Sequence, residues 1–322
     1  MDAFRSEIVT VFGGTGFIGR HVVRELAARG YRIRVATRRP DLAHHLQPLG
    51  TFGQIRAIQA NLRHAWSVDR AVQGASHVVN LVGILAESGK QRFHAVQAEG
   101  AQAVAEAARA SDAKLVHVSA IGADAESPSE YARSKAVGER HALDARPDAI
   151  VMRPSIVFGP EDDFFNRFGG MARLAPALPL IGGGKTRFQP VYVGDVADAV
   201  ARAVAGEAKP GTVYELGGPD VMTFRECLEE LLRVINRKRF FVPLPFGLAS
   251  LLASVAQYLP GSPLTPDQVA LLRSDNVVSD AARAEGRTLE GLGIRPTDAS
   301  VVLPTYLVRF RPHGQFEPSR GL

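Results

Sequence analysis

The chain has 322 residues, 46% of them hydrophobic and 22% charged, the composition of an ordinary globular protein with ample material for a core. Its formal net charge is +5, with Arg and Lys alternating with Asp and Glu almost everywhere. That spread argues against a nucleic-acid-binding stripe but suits anionic ligands or a membrane surface. The single cysteine, Cys227, excludes an internal disulfide framework and fits a reducing, cytoplasmic compartment. No apolar run approaches a bilayer span, and nothing before residue 8 reads as a signal peptide.

Ile8 to Phe12 is an apolar, β-branched run that predicts a strand, and Phe17 to Arg29 has the apolar spacing of a helix. Between them the chain reads G-G-T-G-F-I-G, with Gly13, Gly16 and Gly19 three apart. A strand, a tight glycine turn and a helix make a phosphate cradle. Gly13 turns the chain, Gly16 admits the pyrophosphate to the backbone, and Gly19 lets helix and strand pack closely. Gly13, Thr15, Gly16, Phe17, Ile18 and Gly19 are therefore candidate cofactor contacts. Gly30 ends the helix, and Tyr31 to Thr37 is a second strand closing a βαβ unit. After it stand Arg38 and Arg39, where an NAD site usually places an acid. Two guanidinium groups suit a 2′-phosphate, so NADPH/NADP+ is expected ahead of NAD(H).

A third strand runs through Gln54 to Asn61, and Asn61 with Leu62 at its exit are candidate adenine contacts. A helix over 65–73 and a strand over 77–83 follow, and Val82 and Gly83 let backbone lie along the cofactor. A long alanine-rich helix over 91–110 leads to a fifth strand, Leu115 to Ser119. This rhythm predicts an α/β fold: a Rossmann-type, doubly wound parallel sheet with right-handed crossovers. Tyr131 and Lys135 then sit one helical turn apart, where an ammonium lowers the pKa of a phenol. Tyr131, Lys135 and Ser119 are the catalytic candidates if the chain turns over, and cofactor-binding candidates in either case. A sixth strand over 150–154 delivers Pro154, Ser155 and Ile156, further candidate contacts.

Residues 161–188, rich in Gly, Pro and Phe, read as a lid or loop over the ligand crevice. A helix over 195–205 and a strand over 213–218 come next, and Thr223 with Glu226 forms the capping box of a helix over 224–236. The division expected is a nucleotide-binding domain of 1–153 plus about 186–219, and a smaller mixed lobe of about 154–185 plus 220–322. Phe240 to Pro266 carries no charged residue and follows Arg233, Arg237, Lys238 and Arg239. Its helical part, about 246–259, aligns Leu248, Leu251, Leu252, Val255, Tyr258 and Leu259. It reads as a peripheral membrane or partner-docking surface, or equally as a helix in the lobe's own core. The basic, aromatic tail, Tyr306 to Gly314, is a second candidate for docking elsewhere. His44 and His45 are the only close histidine pair and lack further ligands, so no metal is expected.

Taken together, G-G-T-G-F-I-G at 13–19, Tyr131 with Lys135, R-P-S-I-V-F-G-P at 153–160, V-Y-V-G-D-V-A at 191–197 and Y-E-L-G-G-P at 214–219 resemble the extended short-chain dehydrogenase/reductases over roughly residues 8–235. Within them, Y-A-R-S-K-A-V-G-E, F-G-P-E-D-D-F-F-N-R-F, Q-P-V-Y-V-G-D-V and the C-terminal R-F-R-P-H-G resemble the nucleotide-binding accessory subunits of respiratory complex I (alpha subcomplex subunit 9), in their bacterial form. That likeness implies a tightly held NADPH and an interface role among complex I subunits near the junction of its membrane and peripheral arms. It also implies little or no turnover and a place on the cytoplasmic face of the inner membrane. The alternatives are a redox sensor, or an active NADP-dependent oxidoreductase or epimerase on a nucleotide-sugar, a quinone precursor or another small carbonyl. Enzymes of the family usually carry more hydroxyls after the fifth strand, whereas Ala120 and Ile121 follow Ser119 here. For a sugar diphosphate the smaller lobe offers only Arg167, Arg173, Lys185 and Arg187.

Overall fold

A computed structural model describes residues 5–257 and 264–314. In chain order the elements are β1 (Ile8–Phe12), α1 (Phe17–Ala28), β2 (Arg32–Thr37), β3 (Ile55–Gln59), α2 (Ala65–Val72), β4 (His77–Asn80), α3 (Glu99–Ala110), β5 (Lys114–Val118), α4 (Glu130–Ala145) and β6 (Ile150–Pro154). They continue as β7 (Val157–Phe158), α5 (Phe164–Leu174), β8 (Ala177–Ile181), β9 (Arg187–Phe188), β10 (Val191–Tyr192), α6 (Val193–Val204), β11 (Val213–Leu216) and β12 (Met222–Thr223). The last are α7 (Phe224–Val234), β13 (Phe240–Leu244), α8 (Phe246–Ala256), α9 (Pro266–Leu271), α10 (Asp280–Ala284) and α11 (Ala299–Leu307).

Two compact units result. The first comprises 1–154, 193–216 and 279–295; the second comprises 155–192, 217–278 and 296–322. The first unit is a parallel seven-stranded sheet in the order β11-β6-β5-β4-β1-β2-β3. Apolar strands such as Ile8–Phe12 suit a sheet buried on both faces. Strand order reverses at β1, between β2 and β4, which puts a ligand crevice at the carboxyl ends of those strands. The expected Rossmann-type sheet is the observed one. The expected helix over 91–110 begins differently: a π-helical stretch, His94–Ala98, precedes α3. A Cβ on Gly138 of α4 would lie 2.3 Å from the Gln97 carbonyl oxygen, so α4 meets this turn backbone to backbone. Residues 279–295 join this unit, whereas the sequence reading placed them in the smaller lobe. The reason is long-range. Glu215 N–H donates to the Arg287 carbonyl at 2.9 Å, and Arg287 Nη1 donates to the Val213 carbonyl at 2.7 Å, bracing β11 from outside.

The second unit packs Phe158, Phe165, Phe188 and Phe224 into one core with Leu228, Leu231, Leu303 and Leu307. The expected lid over 161–188 is therefore corrected to α5 and β8. The phenylalanines at 164, 165 and 168 pack edge-on with one another and with Phe158 and Phe224, and Phe164 packs tilted on Phe188, instead of hanging over a crevice. Asp162 is the knot of this unit. It is 2% exposed and accepts from the N–H groups of Gly159 (3.1 Å), Phe165 (2.6 Å) and Asn166 (3.1 Å), and from the Tyr306 hydroxyl. The tail expected to dock elsewhere is docked at home. Tyr306, Leu307 and Phe310 are buried in this core, and Arg311 Nε donates to the Val234 carbonyl at 3.0 Å. Thr223 and Glu226 form the expected reciprocal capping box on α7. Tyr258 and Leu259 of the expected 246–259 helix lie outside the described residues. Among the described residues no helix is long and apolar enough to cross a membrane.

Candidate functional site

At the β1–α1 turn each glycine answers a separate steric demand. Gly13 adopts φ +80°, and a Cβ there would lie 3.1 Å from the Leu81 carbonyl carbon, at the exit of β4. A Cβ on Gly19 would lie 2.1 Å from the Gly13 carbonyl oxygen and 2.6 Å from Gly14 Cα. Gly16 is the exposed N-cap of α1, its own N–H bonded to the Gly13 carbonyl at 3.0 Å. No side chain caps α1 and no acid stands in its first turn, so its leading amides face out with the positive end of the helix dipole. Thr15, Phe17 and Ile18 line this turn, half-buried.

The two arginines after β2 part company. Arg38 is exposed and has no ion-pair partner among the described residues. Arg39 forms a fork with Asp41, Nε to Oδ1 at 3.0 Å and Nη2 to Oδ2 at 2.7 Å, which holds the Asp41 carboxyl below its usual range. An acid thus stands two residues beyond the guanidinium pair and occupies one of them. At the β3 exit, Asn61 Oδ1 accepts the Arg63 N–H at 3.2 Å, and Leu62 packs where a Cβ on Gly100 would be 3.0 Å away.

The β4 exit is fixed from behind. Asn80 Oδ1 accepts the Val82 N–H at 3.2 Å, and Asn80 Nδ2 donates to His117 Nδ1 at 3.2 Å. This leaves Gly83 exposed over Lys135, whose Nζ would be 3.2 Å from a Cβ at Gly83. Lys135 is 5% exposed, and its ammonium donates to the Val118 carbonyl at 3.2 Å. Burial lowers its pKa from the usual 10.5 to about 8, with Glu139 opposing that shift. Burial and the neighbouring Lys135 charge lower His117 to about 3, so this imidazole is neutral. Behind Lys135, Glu139 is itself 4% exposed and grips Arg153, Nε to Oε1 at 2.9 Å and Nη2 to Oε2 at 2.5 Å.

Ser119 follows β5. Its N–H donates to the Met152 carbonyl at 2.7 Å, and its buried Oγ has no hydrogen-bond partner among the described residues. Tyr131 lies on the first turn of α4, edge-on to Phe93 with ring centres 5.9 Å apart. One residue escaped the sequence reading. Gln97, in the π-helical turn, is 2% exposed, and its buried Oε1 is unpartnered, 3.8 Å from the Gly83 Cβ position. A lone Gln in an alanine-rich helix carries no sequence signal; the π turn is what aims it. An orphaned amide oxygen, an ammonium and an exposed glycine backbone thus converge, and the orphaned Ser119 hydroxyl belongs to the residue after the Val118 carbonyl that holds the ammonium. Such buried polar groups are costly unless something completes them. A ribose and a nicotinamide carry the hydroxyls and amide that would do so.

The last three candidates differ. The Pro154 carbonyl accepts from Ile121 N–H at 2.9 Å. Ser155 Oγ is taken up inside the second unit, donating to Asn276 Oδ1 at 2.7 Å and accepting from Gln189 N–H at 3.2 Å. Ile156 gives its carbonyl to Val191 N–H at 2.9 Å. Ser155 therefore offers a ligand its backbone rather than its hydroxyl.

Residues 9–217 match the NAD dependent epimerase/dehydratase family. The mitochondrial NADH dehydrogenase (ubiquinone) 1 alpha subcomplex subunit 9 of Arabidopsis thaliana is 35% identical, over 85% of this chain and 72% of its own. The ceramide reductase of Caulobacter vibrioides is also 35% identical, over 74% of each chain. The NADPH-dependent quinone oxidoreductase QOR2 of Escherichia coli, solved with NADPH, superposes at a TM-score of 0.71 with 20% identity, over 92% of this chain and 99% of that one. That last likeness is one of fold. The family match and the extent of the relatives agree with the glycine cradle: the chain belongs to the NAD dependent epimerase/dehydratase family, as an extended short-chain dehydrogenase/reductase related to the alpha subcomplex subunit 9 proteins.

Proposed function

We propose that the chain is an accessory subunit of NADH:ubiquinone oxidoreductase that holds NADP(H) as a structural part and does not turn it over. The observation that carries this reading is the 35% identity, across 85% of the chain, to a protein named as a subunit of NADH dehydrogenase (ubiquinone). The proposed partners are complex I subunits, on the cytoplasmic face of the inner membrane. Gly13, Thr15, Gly16, Phe17, Ile18 and Gly19 would hold the pyrophosphate against the α1 amides. Asn61, Leu62, Val82 and Gly83 would flank the adenine and the ribose. Lys135, Gln97 and Ser119 would bind the ribose and nicotinamide, with the backbone of Pro154, Ser155 and Ile156 beyond. Arg38 supports NADP(H) over NAD(H), as the guanidinium left to meet a 2′-phosphate; Arg39 is already held by Asp41. Ala120 and Ile121 supply no second hydroxyl beside Ser119, which supports low turnover.

The test is to purify the full chain, identify its retained nucleotide by mass, and ask whether a tagged copy co-purifies with NADH:ubiquinone oxidoreductase activity. Retained NADPH that resists exchange, together with co-purification, is expected. A chain that never travels with that activity removes the accessory reading. NAD(H) bound as tightly as NADP(H) removes the Arg38 argument.

A second reading, an active carbonyl reductase, is favoured by two observations: the orphaned Ser119 hydroxyl and the 35% identity to a protein named ceramide reductase. A bound nicotinamide would supply the hydride. Tyr131 would give the proton to the reacting oxygen, Ser119 would hold that oxygen, and Lys135 would keep Tyr131 acidic. Among the lobe's cations, Arg167 pairs with Asp163 at 2.5 Å and Arg187 with Asp275 at 2.7 Å, which favours a substrate without a diphosphate. Here Tyr131→Phe abolishes NADPH oxidation in a screen of ketones and leaves nucleotide affinity within twofold.

A further inference from the structure

Helix α8 is apolar on two sides. Ala249 and Ala253, fully buried, face Ile181 and Val269 in a small cluster. At 100° per residue, Leu248, Leu251, Leu252 and Val255 fall within an arc of about 100° centred about 130° from that alanine pair. All four are 48–69% exposed. The small residues are inside and the large ones outside, the reverse of a helix that faces water. Strand β13 leads into α8, and its Phe240 and Val242 are 80% and 51% exposed.

Cations outnumber acids around this surface; Asp267, in the first turn of α9, and Glu229 are acids beside it. From Phe240 to Pro266 there is no charged residue. Lys238 is exposed at the entry, and Arg239 is tied beside it through Nε to the Ala172 carbonyl at 2.7 Å. Arg225 lies over the Phe241 ring at 5.3 Å and Arg273 over the Phe246 ring at 5.0 Å. The nearby acid Glu229 is paired with Arg225 at 3.6 Å. An apolar face of Leu, Val and Phe flanked by cations complements an anionic lipid surface: acyl chains take the aliphatic side chains and headgroup phosphates take the cations. A protein partner would have to match the same cations with acids of its own, which nothing on this chain specifies.

We propose that β13 and α8 form a docking face for an anionic phospholipid bilayer, with Leu248, Leu251, Leu252 and Val255 entering the headgroup–acyl boundary and Lys238, Arg239 and Arg273 meeting the headgroups. The face belongs to the second unit alone. It stands whether or not the chain assembles with the respiratory enzyme.

The experiment uses the full purified chain and sedimented vesicles of phosphatidylcholine, with and without phosphatidylglycerol. Binding to the phosphatidylglycerol vesicles is expected, weakening about tenfold as salt rises from about 0.1 to 0.5 M. Leu251→Ser with Leu252→Ser should weaken it at least about tenfold while the thermal midpoint holds, because both side chains are already exposed. Lys238→Glu should cost about fivefold or more at low salt. Leu252→Trp, in a Trp66→Phe background, should shift its emission to the blue on vesicle addition. Equal binding to neutral vesicles overturns the proposal, as does binding that survives the double serine variant. So does a chain that ignores every vesicle and instead dimerises, or captures a protein, through these leucines.

Discussion

Helices α1 and α8 are nearly equal in length, at twelve and eleven residues, and they treat their large side chains in opposite ways. α1 buries Val22, Val23 and Leu26 completely and shows solvent its arginines. α8 buries two alanines and shows solvent three leucines and a valine. Val22, Val23 and Leu26 of α1 are explained by the chain's own fold; the apolar stripe of α8 is not. The same division sorts the polar groups. Glu139 and Arg153 complete one another, whereas Ser119 Oγ and Gln97 Oε1 have no completing group among the described residues. Residues of the first kind hold the protein together. Residues of the second kind indicate what it meets.

The contrast predicts where substitutions will act. The largest effect is expected at Gly19. A Cβ there falls 2.1 Å from a backbone oxygen, so Gly19→Ala should cost about 4 kcal/mol or prevent folding, and abolish nucleotide retention by mass. Glu139→Gln comes next, at about 2 kcal/mol, because it removes the charge of the buried carboxylate that grips Arg153, which is half-buried and keeps Glu215 at 3.9 Å; chemical denaturation of the two chains measures it. Lys135 should act with the opposite sign. Its folded pKa, about 8, lies below the ordinary 10.5, so below pH 8 the folded state carries the full penalty of a buried ammonium. That penalty is relieved as pH climbs from 8 to 10.5, so the nucleotide-free chain gains stability across that window. Lys135→Met should stabilise it by up to about 3 kcal/mol at pH 7, flatten the rise, and weaken NADPH binding. A variant that loses stability instead would place Lys135 with the structural residues. Arg38→Ala should narrow the preference for NADPH over NADH about tenfold without moving the thermal midpoint; Arg39→Ala, already neutralised by Asp41, should do less. Smallest of all, Leu252→Ala should change stability by less than about 0.5 kcal/mol, while Leu26→Ala in α1 costs about 3 kcal/mol.

The first unit was the more legible of the two because its signals are local. A β-branched run, three spaced glycines and an amphipathic helix sit within twenty-two residues, Ile8 to Arg29, and the βα rhythm repeats after them. Thr223 and Glu226 were readable for the same reason: a capping box closes over three residues. What escaped depends on distance or on packing. Asp41 was legible two residues from Arg39, but its pairing is a matter of rotamer. The π turn that aims Gln97 needs Gly138 on another helix. Residues 161–188 read as a loop because glycines and prolines mask the spacing of Phe164, Phe165 and Phe168, whose partners Phe188 and Phe224 lie far along the chain. The tail read as free because nothing near Tyr306 announces Asp162, 144 residues earlier.

Both units are discontinuous, and each is completed by the last stretch of chain: Arg287 braces the outer strand of one, and Tyr306 clasps the buried carboxylate of the other. Neither fold can therefore close until the ribosome has released Arg287 for one and Tyr306 for the other. During synthesis the exposed phenylalanines of the second unit wait without their covering helix, which makes the nascent protein a natural client for chaperones. A stop codon just before Arg287 would be as damaging as one soon after Phe12.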